Sequence, residues 1–320
     1  MQGISFESKN NNWQDVYCGD ALTVLKTLRE KRFHCCITSP PYWGMRDNGI
    51  DGQIGAEDTV DEYIENLVNV FHELKRTMRD DGTFWLNLGD KYVNKELQMI
   101  PSRMALALQA DGWVLRSDII WRSNPSPEPF YDRPTPTYEH LFLLTKSKKY
   151  YYNPYSIAEK TKDGFGSKTA TNVWDIYERP NRTKHSSTFP WSLVERCLKA
   201  GAPRDLCSWC KSPYQVIPLK EYRHPSTRQQ AKQGDWKAVG RGKKEGSINS
   251  GKYSTGLVIK QIDYEPTCHC HEKPTSPKII DPFMGNGTTA FVSDSLGMHC
   301  TGIEIDYELC QAMTDKLIGE

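Results

Sequence analysis

The sequence predicts an α/β fold built on a mostly parallel sheet, ended by an antiparallel hairpin and interrupted by a small zinc-ribbon-like insertion. Three observations predict it. Short apolar runs such as 33–37 and 278–280 alternate with stretches of helical apolar spacing, the pattern of β-α-β units. Two of those runs pass straight into turn-forming motifs, Thr38-Ser39-Pro40-Pro41-Tyr42 and Asp281-Pro282-Phe283-Met284-Gly285-Asn286-Gly287-Thr288-Thr289. A polar, basic stretch bounded by Cys207-Ser208-Trp209-Cys210 and Cys268-His269-Cys270-His271 precedes the second of these.

The first strand is expected over 13–17, ending at Cys18-Gly19-Asp20. Leu22, Leu25 and Leu28 then recur at helical spacing, and Lys31 and Arg32 sit where cations suit a helix end. Asp20 reads either as the N-cap of this helix or as a ligand-binding carboxylate. The strand 33–37 follows. Pro40 and Pro41 forbid helix or ladder pairing, so a hydroxyl and an aromatic ring are left at a sheet's carboxyl edge, where open α/β sheets bind ligands.

After a glycine-rich loop over 43–49, a helix carries Tyr63, Leu67, Val70, Phe71 and Leu74 and ends near a turn at Asp80-Asp81-Gly82. The strand 83–88 then places Asn87 and Asp90 at the same carboxyl edge. A helix over 101–110 and a strand over 113–121 come next, and five prolines within 122–137 exclude regular structure there. The runs 138–145 and 150–152 read as the closing hairpin. A polar segment, 163–184, is broken by Val173-Trp174-Asp175-Ile176, and the next helix carries Leu193, Val194, Cys197 and Leu198 and stops at Gly201-Ala202-Pro203.

The last unit is a strand over 278–280, a tight turn, a helix over 288–296 and a strand over 299–305. Gly285 and Gly287 let the backbone approach a ligand closely, and Glu304, an acid about 20 residues on, suits both ribose hydroxyl hydrogens. A diphosphate fits less well, because Asp281 would repel it and no lysine follows the glycines. In the insertion, Cys207 and Cys210 have zinc-knuckle spacing, and Cys268 with Cys270, or with His271 as the alternative, would complete a structural zinc site. Between 211 and 265 lysine and arginine outnumber acids and apolar residues are few, so this is either a basic arm for phosphate contacts or a solvated linker.

Bulk properties narrow the classes. With 41 basic and 40 acidic residues the formal net charge is +1, so any attraction to nucleic acid must be local. Ten cysteines in 320 residues, with Cys35, Cys36 and Cys300 in strand-like runs, suit buried free thiols rather than a secreted disulfide framework. The polar start and the lack of about 20 continuous apolar residues predict a cytoplasmic protein with no membrane partner.

The paired motifs resemble the amino-directed DNA methyltransferases that use S-adenosylmethionine. The resemblance runs from Asp15 to Met313 outside the insertion, and Trp85-Leu86-Asn87-Leu88-Gly89-Asp90 and 184–190 also match family segments. Catalytic loop before cofactor loop is the circularly permuted order of the β group. The resemblance implies a Rossmann-like methyltransferase sheet, with 13–202 as its catalytic half, 155–184 as a target-recognition loop, 203–277 as a Cys-clipped DNA-recognition insertion and 278–320 as the cofactor-binding half. Within the cofactor loop, from Asp281 through Thr288, it places Phe283 against the adenine and Gly285 and Gly287 beneath the methionine part. It also puts Glu304 on the ribose, Asp20 at the adenine amine, and Thr188, Phe189 and Pro190 around the methionine part.

An exocyclic base amine is a poor nucleophile because its lone pair is delocalised into the ring. Ser39 Oγ and the Pro40 carbonyl can accept its two hydrogens, Pro41 stiffens the loop, and Tyr42 can stack on a flipped base. Ser39 must send its own hydrogen elsewhere, and Asp90 is favoured over Asn87 because a carboxylate is the better base. The resemblance implies cytosine N4 as the target, because serine at the first loop position is usual in the family's cytosine-N4 enzymes, with adenine N6 as runner-up. A catalytically silent DNA-binding protein or an RNA or protein methyltransferase are the further alternatives. The expected partner is double-stranded DNA, with a cognate restriction endonuclease beside it, and no sequence stripe assigns an oligomeric interface.

Overall fold

The computed structural model describes residues 2–45, 49–50, 52–123, 131–161, 166–177, 190–223 and 256–319. The chain divides into a larger unit, 1–153 with 171–214 and 266–320, and a smaller one, 154–170 with 215–265.

The larger unit opens with an antiparallel pair, β1 (Gln2–Glu7) and β2 (Trp13–Cys18), then α1 (Ala21–Thr27) and β3 (Phe33–Thr38), which is buried along its whole length. α2 (Val60–Thr77) starts at a capping box in which Thr59 and Glu62 satisfy each other's backbone amides, and it buries Tyr63, Leu67, Val70, Phe71 and Leu74. It runs directly into β4 (Met78–Leu88), and a two-residue ribbon, β5 (Tyr92–Val93) with β6 (Glu96–Leu97), leads to α3 (Ile100–Ala110). β7 (Val114–Arg122) and β8 (Tyr138–Thr145) follow; β9 (Glu159–Lys160) and β10 (Ser167–Lys168) pair as a ribbon of the smaller unit.

β11 (Val173–Asp175) rejoins the main sheet, and α4 (Trp191–Gly201) buries Leu193, Val194, Cys197 and Leu198. In the insertion, β12 (Leu206–Cys207) pairs with β15 (Pro274–Thr275), and β13 (Tyr214–Arg223) pairs with β14 (Gly256–Pro266). The chain ends with β16 (Lys278–Asp281), α5 (Thr288–Ser295), β17 (His299–Glu304) and α6 (Tyr307–Ile318).

The main sheet has the order β1-β2-β17-β16-β3-β4-β8-β7-β11. Its centre, β2-β17-β16-β3-β4, is parallel, so all five carboxyl ends share one edge. Alternate side chains of β4 face opposite ways. Phe84, Leu86 and Leu88 enter the core formed with α1, α2 and α3. Thr83 and Trp85 face the other way, where Gly201 of α4 approaches so closely that a Cβ there would lie 2.3 Å from Trp85 Nε1. No helix among the described residues is long and apolar enough to cross a membrane.

The sheet departs from the expected hairpin. β8 lies between β4 and β7 and is antiparallel to both, whereas residues 150–152 form no strand. Strand pairing is set by which faces must be buried, not by sequence proximity, and 138–145 supplies the apolar face that β4 and β7 both need. Two further strands were not expected: β1 at the sheet edge, and β11, parallel to β7 and anchored by the buried Trp174.

His34 in β3 is buried, and its Nδ1 accepts the backbone amide of Lys278 at 3.1 Å, joining β3 to β16. Burial pushes its pKa from 6.5 down to about 4. A depressed folded-state pKa means that stability is complete above the unfolded value and is lost as the pH falls through 6.5 toward 4. The free energy of unfolding of the parent should therefore fall relative to His34→Gln by roughly 2–3 kcal/mol between pH 7 and 4.5, measured by urea denaturation.

Candidate active site

The cofactor-type loop is built on Asp281 at the end of β16. Its carboxylate is buried and accepts three hydrogen bonds: Thr38 Oγ1 at 2.6 Å, Thr289 Oγ1 at 2.6 Å and the Phe283 amide at 3.1 Å. Desolvation still pushes its pKa up to about 6. Asp281 thus works from behind the loop, tying it to the end of β3. Gly285 and Gly287 both take left-handed backbone angles, φ +50 and +81, which favour glycine. A Cβ on Gly287 would strike Met313 at 2.3 Å, whereas one on Gly285 would meet nothing within 4 Å, so the loop leaves open space there.

Glu304 at the end of β17 is the second tie. Its Oε2 accepts the Gly285 amide at 2.8 Å and its Oε1 the Asp306 amide at 2.9 Å, while burial raises its pKa. The carboxylate still keeps acceptor capacity for a ligand hydroxyl. The Glu304 carbonyl accepts the Gly19 amide at 2.8 Å, which brings Asp20 to the same edge. Asp20 is a helix cap, its Oδ1 accepting Thr23 N at 2.8 Å and Thr23 Oγ1 at 2.6 Å. Phe283 is half-buried and meets Phe71 edge-on at 6.3 Å, Thr288 opens α5, and Pro190 is the N-cap of α4. Thr188 and Phe189 lie outside the described residues.

The catalytic-type loop leaves β3 beside this pocket. Tyr63 Oη of α2 donates to the Pro41 carbonyl at 2.9 Å, while the Pro40 carbonyl takes no hydrogen bond from the described residues. Ser39 Oγ donates to Tyr42 Oη at 3.3 Å, and Tyr42 Oη donates to Glu139 Oε2 at 2.6 Å. Asn87 Nδ2 donates to both acceptors, at 2.8 Å to Tyr42 Oη and 2.6 Å to Glu139 Oε2. The Tyr42 ring rests on Gly89, where a Cβ would lie 2.7 Å from Cε2. Burial, with the Glu139 carboxylate beside it, raises the Tyr42 pKa well above its ordinary value.

Asp90 does not take the Ser39 hydrogen. Its Oδ1 accepts the amides of Lys91 at 2.8 Å and Ile100 at 3.1 Å, and so serves the N-terminus of α3. The carboxylate that the sequence reading missed is Glu139 of β8. A signal for it was present: in the alternation of 138–145, Glu139 shares a face with Leu141 and Leu143, a charge at the end of an otherwise apolar stripe. Because β8 is antiparallel to β4, that end meets the carboxyl edge of β4, with Asn87 paired opposite Leu141. Tyr63 and Thr289, which hold the two loops, were also not singled out.

In the insertion, the sulfur atoms of Cys207, Cys210, Cys268 and Cys270 lie within 4.8 Å of one another. His271 is not one of this group. Lys211 and His271, each following the second cysteine of its pair, have φ +58 and +54, so both pairs end in the same kind of tight turn.

Comparison with known proteins agrees with this geometry. A family model described as DNA methylase, N6_N4 type, matches residues 33–206 and 270–315. The chain is 31% identical to the Type II methyltransferase M.SmaI of Serratia marcescens, over 95% of this chain and 90% of that protein. It is 41% identical to the Type II methyltransferase M.Cfr9I of Citrobacter freundii, over 59% of this chain and 73% of that one. Among solved structures, the cytosine-N4-specific PvuII DNA methyltransferase shares the fold with a TM-score of 0.60 at 13% identity, covering 97% of this chain and 89% of the other. The M1.HpyAVI–SAM complex does so at 0.52 and 15%, covering 95% and 99%. With an Asp281 loop and a Ser-Pro-Pro-Tyr loop tied at one sheet edge and a family match spanning both, the chain belongs to the N6_N4 family of S-adenosylmethionine-dependent DNA methyltransferases.

Proposed function

We propose that this chain is a site-specific Type II enzyme of the permuted β order that methylates the exocyclic N4 of a cytosine flipped out of double-stranded DNA. The observation that carries amine methylation is the state of Ser39, while the choice of cytosine N4 rests on serine standing first in the loop. Its hydroxyl hydrogen is directed to Tyr42, so its oxygen is left as an acceptor at the edge that also holds the Gly285 turn.

The first task is binding. The space at Gly285, the lone pairs left on Glu304 and the ring of Phe283 suit the methionine part, the ribose and the adenine in that order, with Asp20 Oδ2 at the adenine amine. S-adenosylmethionine, when bound, supplies an electrophilic methyl group on a sulfonium. Thr288 and Pro190 border the same pocket in this reading. On the target side, Ser39 Oγ and the Pro40 carbonyl accept the two amine hydrogens and favour a pyramidal nitrogen, while Tyr63 holds the Pro41 carbonyl and so limits loop movement. Tyr42, backed by Gly89, offers its ring to the flipped base, offsetting the few kcal/mol that flipping costs.

We assign the recognition of DNA sequence to residues 155–184 and to the insertion 203–277, with 13–202 and 278–320 as the catalytic and cofactor halves. The four cysteines fit a zinc ion: tetrahedral thiolates at about 2.3 Å from the metal lie about 3.8 Å apart, within the observed spread. That zinc would be structural, clipping the two ends of the insertion as a zinc-ribbon element. The Type II names of the relatives support a cognate restriction endonuclease as partner.

Two experiments test the reading. Unmethylated DNA incubated with the protein and S-adenosylmethionine should yield 4-methylcytosine by nucleoside mass spectrometry, and Ser39→Ala should lower the yield at least 100-fold. Appearance of 6-methyladenine would overturn the choice of target, and no methylated base would favour a silent scaffold. Elemental analysis should find one zinc per chain, with Cys210→Ser/Cys268→Ser losing it and weakening DNA binding while leaving S-adenosylmethionine binding within twofold. Protein refolded with zinc that retains none would refute the metal site.

A further inference from the structure

We propose that Glu139 is the end point of a proton relay, receiving through Tyr42 and Ser39 the proton that the target amine loses on methylation. This rests on the reading of Ser39 as the acceptor for an amine hydrogen.

Hydrogen-bond directions fix the relay. A carboxylate only accepts, so the single phenolic hydrogen of Tyr42 goes to Glu139 Oε2, 2.6 Å away. Tyr42 Oη must then accept from its other neighbours, and both Asn87 Nδ2 at 2.8 Å and Ser39 Oγ at 3.3 Å are placed to donate to it. Asn87 also donates to Glu139 Oε2 at 2.6 Å, which fixes the carboxylate against the phenol. Every hydrogen in the chain therefore points from Ser39 toward Glu139. The raised pKa of Tyr42 keeps the phenol protonated, so it conducts a proton rather than storing charge.

The step balances. The amine nitrogen uses its lone pair to bond the methyl carbon, and the carbon–sulfur bond breaks with its electron pair staying on sulfur, which becomes a neutral thioether. The nitrogen, now positively charged, gives one hydrogen to Ser39 Oγ as the Ser39 hydrogen passes to Tyr42 Oη and the Tyr42 hydrogen passes to Glu139. The products are the base with a neutral N-methylated amine, the thioether and a protonated Glu139, which returns its proton to water after release. Only groups on β4, β8 and the loop after β3 take part, and neither Asp90 nor the Asp281 knot is needed.

The test is single-turnover methyl transfer by Glu139→Gln, which keeps an acceptor for Tyr42 but cannot take up a proton. The rate should fall about 10²- to 10⁴-fold, with KM for DNA and for S-adenosylmethionine within twofold of the parent. Tyr42→Phe, which cuts the relay while keeping the ring, should fall within the same range. The parent should show a solvent deuterium isotope effect on this step whose proton inventory is curved, because several protons move together; Glu139→Gln should lose the curvature. A Glu139→Gln or Tyr42→Phe rate within threefold of the parent, or a linear inventory in the parent, would overturn the relay. Should Glu139→Gln fail to fold, Tyr42→Phe and the parent's inventory decide alone. A parent that methylates no DNA would instead overturn the underlying reading, whereas loss of activity in Ser39→Ala beside an active Glu139→Gln would overturn the relay alone.

Discussion

The buried hydrogen bond from Thr38 Oγ1 to Asp281 Oδ1 joins two loops that lie 243 residues apart in the chain. On one side it ends the strand that delivers Ser39; on the other it ends the strand that delivers Gly285. Group transfer is sensitive to position, and a misplacement of about 1 Å can cost on the order of 10²-fold in rate. A shared buried carboxylate with three donors cannot let one loop drift without disturbing the other. The raised pKa of Asp281 shows the tension in this design: its three hydrogen bonds only partly offset the desolvation of the charge. Glu304 repeats the device one strand away, holding Gly285 by its backbone rather than through a side chain.

A second constraint is directional. Serine hydroxyls usually donate as readily as they accept, and a donor aimed at a base amine would be useless. Here the chain Ser39–Tyr42–Glu139 ends in a group with no hydrogen to give, so its direction is set from the far end. Asn87 Nδ2 donates to both Tyr42 Oη and Glu139 Oε2, and a polar network cross-braced in this way is stiff in a low-dielectric setting. The same arrangement serves cytosine and adenine amines equally, which is why the geometry speaks to amine chemistry more directly than to the identity of the base.

Much of this was legible in the sequence because it is local. Proline pairs, positive-φ glycines and short apolar strands advertise their own conformation, so both loops and the final β-α-β unit could be read from the sequence, whereas spacing left Cys270 and His271 as alternatives beside Cys207, Cys210 and Cys268. What failed was non-local. With 138–145 paired to 150–152, Glu139 had no reason to face the site; once β8 lies beside β4, the alternation along the strand carries it there. Basicity alone points to Asp90, but position decides, and two residues beyond the end of β4 the chain has already turned toward α3. β1 escaped notice because an edge strand with an exposed face has the composition of a polar loop.

The most direct test of the account is the single-turnover methyl-transfer rate of Thr38→Val against Thr38→Ser. Valine keeps the β-branched shape that a buried strand position requires but removes the donor to Asp281; serine keeps the donor. If the two loops are registered through this bond, Thr38→Ser should stay within about threefold of the parent while Thr38→Val loses on the order of 10²-fold. Equal rates in the two variants would contradict the account, and the positions of the loops would then have to be set by the sheet alone.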